Sequence, residues 1–422
     1  MSVRYVLYDD AVARTMEPFS LTRPLCEVTA GAMLIRDRWA RILGGSAAGV
    51  VSSPHLERFD EDGAARLSRG TLRAGTVVVN TRFAPALAQP GGGVTSLEPG
   101  TSLRAHGEVV AVALATPLPV AILADGKLPL ADLPARAGRT VEGWWIGNAW
   151  DFVALLPEML GADSAVLAAD AHGEPPAHVA VLGAHRLVLE PGAYAEPYVV
   201  ADTTGGDVVV RSGARIGAFA RIAGPAVIDE GARLGPGRYS CVSIGRQARV
   251  CGELSVVTVG AYSNKAHDGF VGHSALGRWV NLGAGTITSN LKNTYGSIRV
   301  RDARGEHDTA QQFLGSLIGD HAKTAIGTRL VTGTIVGAGA NIVGDRTPDK
   351  YVPPFAWGDR APFAKYEITR FLDVAARVMK RREMRLSKGM RAVLAAAAEA
   401  SAQVARGGRP GRRTHAGTSA RR

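Results

Sequence analysis

Aliphatic and small residues recur at every sixth position in three separate stretches of the chain. These are Val210, Ile216, Ile222, Ile228 and Leu234, then Phe270, Leu276, Leu282 and Thr288, and finally Ile318, Thr324, Leu330, Val336 and Ile342. A period of six fits neither an α-helix, which repeats every ~3.6 residues, nor a flat strand, which repeats about every two. It predicts a left-handed parallel β-helix over residues 181–345, in which each side of a triangular coil directs one aliphatic side chain inward. Three runs in phase argue against the alternative, a β-sandwich with chance spacing.

The segments around these repeats predict other kinds of structure. Over residues 1–165, strand-like runs alternate with helical ones, which is typical of an α/β domain, and residues 166–180 form a linker. Strands are expected at 3–8, 76–80, 108–115 and 120–123, and helices at 31–43 and 150–160. The polar stretch 291–312 breaks the repeat phase and predicts a loop that protrudes from one corner. Residues 346–400 predict a turn and one helix that cap the coil, and residues 401–422 predict a disordered basic tail.

Composition and charge narrow the range of functions. Hydrophobic residues make up 46% and charged residues 21% of the 422, which is a normal globular balance. The net charge of +11 lies entirely in the segment from Arg377 onward, so the rest of the chain is neutral. No aromatic residues interleave with the arginines of the tail, so nucleic acid is not an expected partner. The longest uncharged run, residues 109–124, contains two prolines and is too short to span a bilayer, so no membrane partner is expected. Three cysteines form no disulfide framework or CxxC pair, and we expect a cytoplasmic protein.

Chemically useful side chains gather within two consecutive coils of the predicted β-helix. The group comprises Asn264, Lys265, His267, Asn281 and Asn290. Residues about 18 apart stack on a triangular coil, so these side chains are expected on a shared rim. A histidine with a pKa near neutrality suits a general base that takes a proton from an amine, whereas asparagine and lysine suit sugar hydroxyls and phosphate. Asn264 and Lys265 are therefore candidate substrate-binding residues.

The same region resembles the acetyltransferase half of the bifunctional GlmU family, which combines glucosamine-1-phosphate acetyltransferase and N-acetylglucosamine-1-phosphate uridyltransferase activities. The matching motif is His267, Phe270 and Gly272, followed by the run Asn-Leu-Gly-Ala-Gly-Thr at 281–286. The amino-acid sequence of this segment is most similar to a divergent bacterial branch of the family, described as sugar nucleotidyltransferases. The resemblance implies that His267 is the catalytic base, and that Phe270 and Asn281 contact the amino-sugar phosphate.

The resemblance also implies a path for acetyl-CoA. Ala284, Asn290 and Leu291 would lie along this cosubstrate, with Gly344 further along the thioester groove. Ile326 stands where the family has a serine, and Lys323 in the same coil is expected to contact the cosubstrate instead.

The first domain resembles the nucleotidyltransferase half of the same family. Arg14 and Arg23 align with its phosphate-binding segment, and Asn80 stands where the family has a magnesium-binding aspartate, so these three are candidate nucleotide-binding residues. Asp9 and Asp10 replace glycines that would let backbone N–H groups approach a triphosphate. The domain is therefore either a nucleotidyltransferase that uses Mg²⁺, an altered sugar-nucleotide site, or a structural relic.

These observations favour an acetyl-CoA-dependent N-acetyltransferase that acts on a hexosamine phosphate or sugar nucleotide, in a homotrimer with grooves between its coils. It would serve UDP-GlcNAc-type biosynthesis of cell-envelope precursors. Two alternatives remain open. One is a non-catalytic or altered sugar-nucleotide-binding β-helix protein. The other is a metal-dependent hydratase like the γ-class carbonic anhydrases, which needs three histidines between subunits, usually with a His-x4-His pair that the repeats lack.

Overall fold

The computed structural model describes residues 3–61 and 63–407. An α/β domain comes first, a parallel β-helix of about 10 turns follows, and two helices end the described chain. This confirms the fold class predicted from the hexapeptide period. No described helix is both long and apolar enough to cross a membrane.

The N-terminal domain is built around a six-stranded mixed sheet. Its strands are β1 (Tyr5–Tyr8), β2 (Thr29–Ala30), β3 (Met33–Leu34), β4 (Gly49–Val51), β5 (Thr71–Leu72), β6 (Val77–Asn80), β7 (Phe83–Pro85), β8 (Thr101–Ala105), β9 (Glu108–Ala113), β10 (Leu118–Pro119), β11 (Arg136–Thr140) and β12 (Gly143–Trp145), and its helices are α1 (Ile35–Leu43), α2 (Asp151–Ala154) and α3 (Leu156–Asp170). The sheet order is β11-β8-β9-β6-β1-β4, with β1 parallel to both β4 and β6. The predicted strand at 120–123 is wrong, because Val120–Leu123 forms a 3-10 helix directly after Pro119.

The β-helix begins at Ala180 and extends past the predicted end at 345. Its strands, with an inserted hairpin at β25 and β26, are β13 (Ala180–Leu182), β14 (Leu187–Leu189), β15 (Tyr194–Ala195), β16 (Val200–Asp202), β17 (Val208–Val210), β18 (Arg215–Ile216), β19 (Ala220–Ile228), β20 (Arg233–Ile244), β21 (Arg249–Val259), β22 (Asn264–Lys265), β23 (Phe270–Leu276), β24 (Ile287–Thr288), β25 (Arg299–Asp302), β26 (Gly305–Asp308), β27 (Ser316–Ile318), β28 (Lys323–Thr324), β29 (Arg329–Leu330), β30 (Thr334–Val336), β31 (Asn341–Ile342), β32 (Tyr351–Val352) and β33 (Ala356–Trp357). Every residue of the predicted six-residue period is buried except Phe270, whose neighbour Val271 takes the inward position.

Successive coils pair in parallel register although their lengths differ. Ile216 pairs with Leu234 eighteen positions later, whereas Tyr239 pairs with Leu254 only fifteen positions later. The difference is absorbed at the corners, where β20 and β21 change register between Leu234 and Gly237. Because each strand aligns only with its neighbours, the inward column stays continuous from coil to coil.

The polar insertion does not protrude freely, contrary to the sequence prediction. Strands β25 and β26 form an antiparallel hairpin, and Ile298 and Val300 are buried in the core of the N-terminal domain. Arg304 at its tip donates a hydrogen bond to the Thr15 hydroxyl at 2.8 Å. The insertion therefore fastens the coil to the first domain.

Two helices follow the coil where the sequence predicted one. After strand β34 (Ala364–Lys365), helix α4 spans Ile368–Lys380 and helix α5 spans Lys388–Gly407. The helical conformation is interrupted between them, where Glu383 has a positive φ of 59°. Residues 401–407 of the predicted disordered tail are helical, and the rest of that tail lies outside the described residues.

A buried ion network joins the N-terminal domain to the coil. Arg23 is 3% exposed and donates to Asp320 of the coil at 2.7 Å and to both carboxylate oxygens of Glu61, at 2.8 and 3.1 Å. Arg278 of the coil also pairs with Glu61. Arg23 pairs with Asp320, and Arg278 pairs with Glu61, across the boundary between the two domains. Separating the domains would leave these charges without their partners, so the network is stable only while the domains are in contact.

Arg23→Met is expected to destabilise the protein by about 3–5 kcal/mol, because it leaves the buried Asp320 carboxylate without its cation and Glu61 with Arg278 alone. The midpoint of urea unfolding measures this change. Arg69→Met is the matched control, since Arg69 is 76% exposed and its pair with Glu57 contributes under about 1 kcal/mol. Equal effects of the two substitutions would contradict a structural role for the network.

The same network predicts an acid dependence of stability. Burial acts to raise the pKa of Glu61, but Arg23 and Arg278 outweigh it and lower the pKa from 4.5 to about 2. A carboxylate with a lowered folded-state pKa stabilises the fold above its unfolded pKa, and this stabilisation is lost as the pH falls from 4.5 toward 2. The stability difference between the parent and Glu61→Gln should therefore narrow over that range in urea titrations, and a constant difference would refute the assignment.

Candidate active site

Polar side chains form a ladder along one side of the coil. Asn264, Asn281, Lys323 and Asn341 occupy equivalent positions on successive coils and pair in parallel register. The Nδ2 of Asn264 donates to the Oδ1 of Asn281 at 3.0 Å, and both side chains are partly exposed. The structure thus brings together three of the predicted site residues, Asn264, Asn281 and Lys323, on one partly exposed side of the coil.

His267 lies at the corner next to this ladder and is exposed. It stands three residues after Asn264, just as Ala284, Ile326 and Gly344 stand three residues after the ladder residues of the following coils. The carbonyl of Ala284 accepts a hydrogen bond from the N–H of Gly327 at 2.8 Å, which ties consecutive corners together. The corner therefore presents the imidazole in line with two predicted cosubstrate positions, Ala284 and Gly344.

Lys265 does not face the rim, so the expectation that it binds substrate is not supported by its position. Its side chain is 1% exposed and points into the coil, where its Nζ donates to the carbonyls of Cys251 at 3.3 Å, Asp268 at 3.1 Å and His267. Burial lowers the pKa of this ammonium. The sequence did contain the signal, since Lys265 lies six residues from Val259 and from Val271 and so takes an inward position. The geometry makes it a buried support for the corner that carries His267.

Phe270 and Asn290 lie close together beside Gly272, past the His267 corner, and Leu291 follows Asn290. The Nδ2 of Asn290 lies 2.8 Å from the Nδ1 of His273, and the His273 ring stacks on Phe313 with centroids 5.1 Å apart. Leu291 forms an antiparallel bridge with Phe313. Burial lowers the pKa of His273, which favours a neutral imidazole as partner for the amide.

Gly272 allows this arrangement, because a side chain at that position would collide with the Phe270 ring and with the Asn290 amide. His273 was not among the sequence-predicted site residues. No period or motif singles it out, since its contact depends on where the insertion leaves the coil.

Lys323 continues the ladder above Asn281. Its Nζ donates to the carbonyl of His321 at 3.1 Å, and burial lowers its pKa to about 8. Near neutral pH the ammonium is charged and half-buried beside the rim, which suits contact with an anionic group. His321 itself is buried behind Trp279, and its pKa is lowered to about 3, mainly by burial, so this histidine is neutral.

Two predicted nucleotide-binding arginines are already committed to other contacts. The Arg14 guanidinium donates to the carbonyls of Asp9, Leu123 and Ala124 at 2.9, 3.2 and 2.5 Å. Arg23 is buried in the ion network that joins the domains. The structure therefore does not support the expectation that these side chains hold a nucleotide.

Asn80 lies at the carboxyl end of β6, beside the carboxyl end of β1. Its Nδ2 donates to Asp10 at 3.0 Å, and Asp10 also pairs with Arg82 at 2.8 Å. Asp9 is 1% exposed and accepts hydrogen bonds from Ser52, Thr81 and the Leu25 backbone, while burial raises its pKa. With a guanidinium already on Asp10, these residues do not fit a Mg²⁺ site.

Across the described ranges 3–61 and 63–407, no three His, Cys, Asp or Glu side chains lie close enough to hold a metal ion. A cavity of about 390 Å³ does lie between the N-terminal domain, the coil and the C-terminal helices. Its lining includes Tyr262, Trp279, Met384 and Arg278, but none of the predicted site residues. His267 is instead exposed at the surface of the coil.

Comparison with known proteins gives matches for part of the chain. Residues 5–172 match the family model for sugar nucleotidyl transferases. The bifunctional protein GlmU of Synechococcus elongatus is 31% identical over 162 residues, and that of a Jannaschia species is 33% identical over 168 residues. Each alignment covers 38% of this chain but only 28% and 32% of those relatives, so the chain spans under a third of their length.

Two solved structures also align with this chain. A hexapeptide transferase family protein from Anaplasma phagocytophilum aligns at 13% identity with a TM-score of 0.20, and covers 55% of this chain and 98% of its own. A UDP-N-acetylglucosamine acyltransferase from Campylobacter jejuni aligns at 12% identity with a TM-score of 0.19, and covers 52% of this chain and 94% of its own.

Proposed function

We propose, from the premise that this chain is a GlmU-like protein, that its β-helix is an acetyl-CoA-dependent N-acetyltransferase acting on a hexosamine phosphate or a sugar nucleotide. One observation carries the proposal. The hydrogen-bonded amides of Asn264 and Asn281 lie on the coil side that leads into the corner bearing the exposed His267. A stacking scaffold needs only small outward residues there, so this combination supports catalysis over a purely structural coil.

In the proposed reaction, the amide groups of Asn264 and Asn281 hold the hydroxyls of the sugar. The His267 imidazole accepts a proton from the sugar amine as the amine nitrogen attacks the thioester carbonyl. A backbone N–H near Ala284 stabilises the oxyanion that forms. The new amide bond replaces the carbon–sulfur bond, and the imidazolium returns its proton to the departing thiolate.

Acetyl-CoA is placed along Ala284, Asn290, Leu291 and Gly344, with Lys323 near an anionic part of the molecule. We further propose that this groove is closed by a neighbouring coil in a homotrimer. Helix α3 packs on the coil side that bears Val209 and Val227, so the His267 corner is left open for such a neighbour. This assembly would act in the cytoplasm.

Nucleotidyl transfer by the first domain is a weaker second candidate. The family match at 5–172 favours it, whereas the hydrogen bonds and ion pairs that Arg14, Arg23 and Asp10 already form within the protein oppose it. A coupled assay separates the two candidates: amino-sugar phosphates are first supplied with acetyl-CoA, and the N-acetylated products are then supplied with each nucleoside triphosphate and Mg²⁺. Acetylation without pyrophosphate release would assign activity to the coil alone.

His267→Ala is expected to lower kcat for acetyl transfer by about 10²–10⁴-fold, because the base that takes the amine proton is lost. Binding of the acceptor, measured by calorimetry, should change little. His185→Ala is the matched control, since this histidine is 53% exposed and lies on an early coil, far from His267 in the sequence. Full acetyl transfer by the His267 variant would end the proposal.

Lys265→Met tests the buried support beneath His267. The substitution keeps the length of the side chain but removes the ammonium that binds the carbonyls of His267 and Asp268, so the corner loses its fixed geometry. We expect kcat to fall about 10–100-fold with an unchanged acceptor KM, because misplacement of a catalytic group weakens the transition state and not the ground state. A variant that changes KM alone, or neither constant, would show that Lys265 does not position His267.

A further inference from the structure

The coil carries a column of arginines directly below the amide ladder. Arg215, Arg233 and Arg249 pair in register on consecutive coils, and Arg249 in turn pairs with Asn264. All four side chains therefore point outward from the same side of the coil. The basic column leads up to the rim on which His267 lies.

A second element adds positive charge to this column. Arg381 and Arg382 follow the end of helix α4, and the Arg382 Nη1 donates to the carbonyl of Gln247 at 3.2 Å. Gln247 lies two residues before Arg249, so the C-terminal helix delivers its arginines to the coil that carries Arg249. We call Arg233, Arg249, Arg381 and Arg382 the arginine cluster.

The arginine cluster forms no salt bridge within the part of the chain that the structure describes. No carboxylate there forms an ion pair with any of the four guanidiniums, and the shielded Nε of Arg249 has no hydrogen-bond partner. By contrast, Arg221 and Arg238 on another side of the coil pair with Asp202 and Glu253 at 2.7 and 3.0 Å.

The guanidiniums also act on one another. Burial, followed by the charges of Arg249, Arg233 and Arg381, lowers the pKa of Arg382 to about 10, and burial with Arg233 and Arg381 lowers the pKa of Arg249. Four like charges held together weaken the fold unless an anion is bound among them. Guanidinium groups bind phosphate through two parallel hydrogen bonds each, so four of them suit two linked phosphates better than one.

We propose that the arginine cluster binds the diphosphate group of a ligand whose reacting end lies on the amide ladder. The identity of that ligand rests on the proposed function, but the diphosphate site itself does not. Neighbouring strands lie about 4.8 Å apart, so a diphosphate at Arg249 and Arg233 lies roughly 5–10 Å below the Asn264–Asn281 pair. A nucleoside-diphosphate sugar and CoA both carry a diphosphate, and the experiment distinguishes them.

The direct test is calorimetric titration of the full chain with inorganic pyrophosphate. We expect measurable binding that the double variant Arg249→Gln, Arg382→Gln weakens at least about tenfold, because two charge-assisted contacts are lost. The matched control is the double variant Arg221→Gln, Arg238→Gln, which removes the same net charge from paired positions and should bind pyrophosphate as the parent does. Absence of binding by the parent, or equal loss in both double variants, would overturn the site.

Titration with UDP-N-acetylglucosamine and with CoA then identifies the carrier. If the Arg249 and Arg382 substitutions weaken binding of the nucleotide sugar alone, the cluster binds the acceptor. If they weaken binding of CoA alone, the cluster binds the cosubstrate. If the substitutions weaken binding of pyrophosphate but change the affinity for neither UDP-N-acetylglucosamine nor CoA, the proposed link between the cluster and the amide ladder is wrong. Inorganic pyrophosphate has no reacting end, so its affinity reports on the arginine cluster alone, and failure of the acetyl-transfer proposal is measured separately from failure of this one.

Discussion

The buried pairing of Arg23 with Glu61 and Asp320 governs how the two halves of this molecule are arranged. The ladder of a β-helix is regular along its axis, so hydrogen bonding between coils does not by itself specify where another domain docks. Charges that are satisfied only in one relative position do specify it, because any displacement leaves them buried and unpaired. Arg278 of the coil, which also contacts Glu61, strengthens this selection.

Around that anchor, apolar surface completes the contact. Ala275, Leu317 and Ile335 point out of the coil, yet they are buried in the same core as the central strands of the N-terminal domain. The C-terminal helices cover the corner at which Tyr262 stacks on Trp279, with ring centroids 4.3 Å apart, and Phe371 of α4 packs against Phe355 of the last coil. The corner that carries His267 stays exposed, so docking leaves the amide ladder and His267 accessible.

The sequence predicts the coil well because burial there follows a strict period. Ile216, Ile228, Leu234 and Ile342 all take the inward positions expected of them, and the resemblance to the GlmU family is confirmed by the family match and the curated relatives. What the period does not encode is which polar residue points inward for a local reason. Lys265 looks like a substrate ligand by its chemistry, and only its phase with Val259 and Val271 shows that it belongs inside. The burial of Arg23 and the position of the insertion hairpin depend on contacts between residues some 300 positions apart, which a local sequence pattern does not predict.

The uneven coil lengths have a consequence for how such a scaffold can change. Strands align through their inward residues, so differences in length are taken up at the vertices, the corners between the sides of the coil. A coil of fifteen residues and one of eighteen stack equally well. A hairpin is likewise inserted between Leu276 and its partner Ile318 without a change in their register. Residues on the flat sides are therefore constrained by their neighbours above and below, whereas the vertices are free to lengthen, shorten or acquire new chemistry. His267 is at a vertex, so the proposed catalytic base occupies a position that the architecture leaves open to revision.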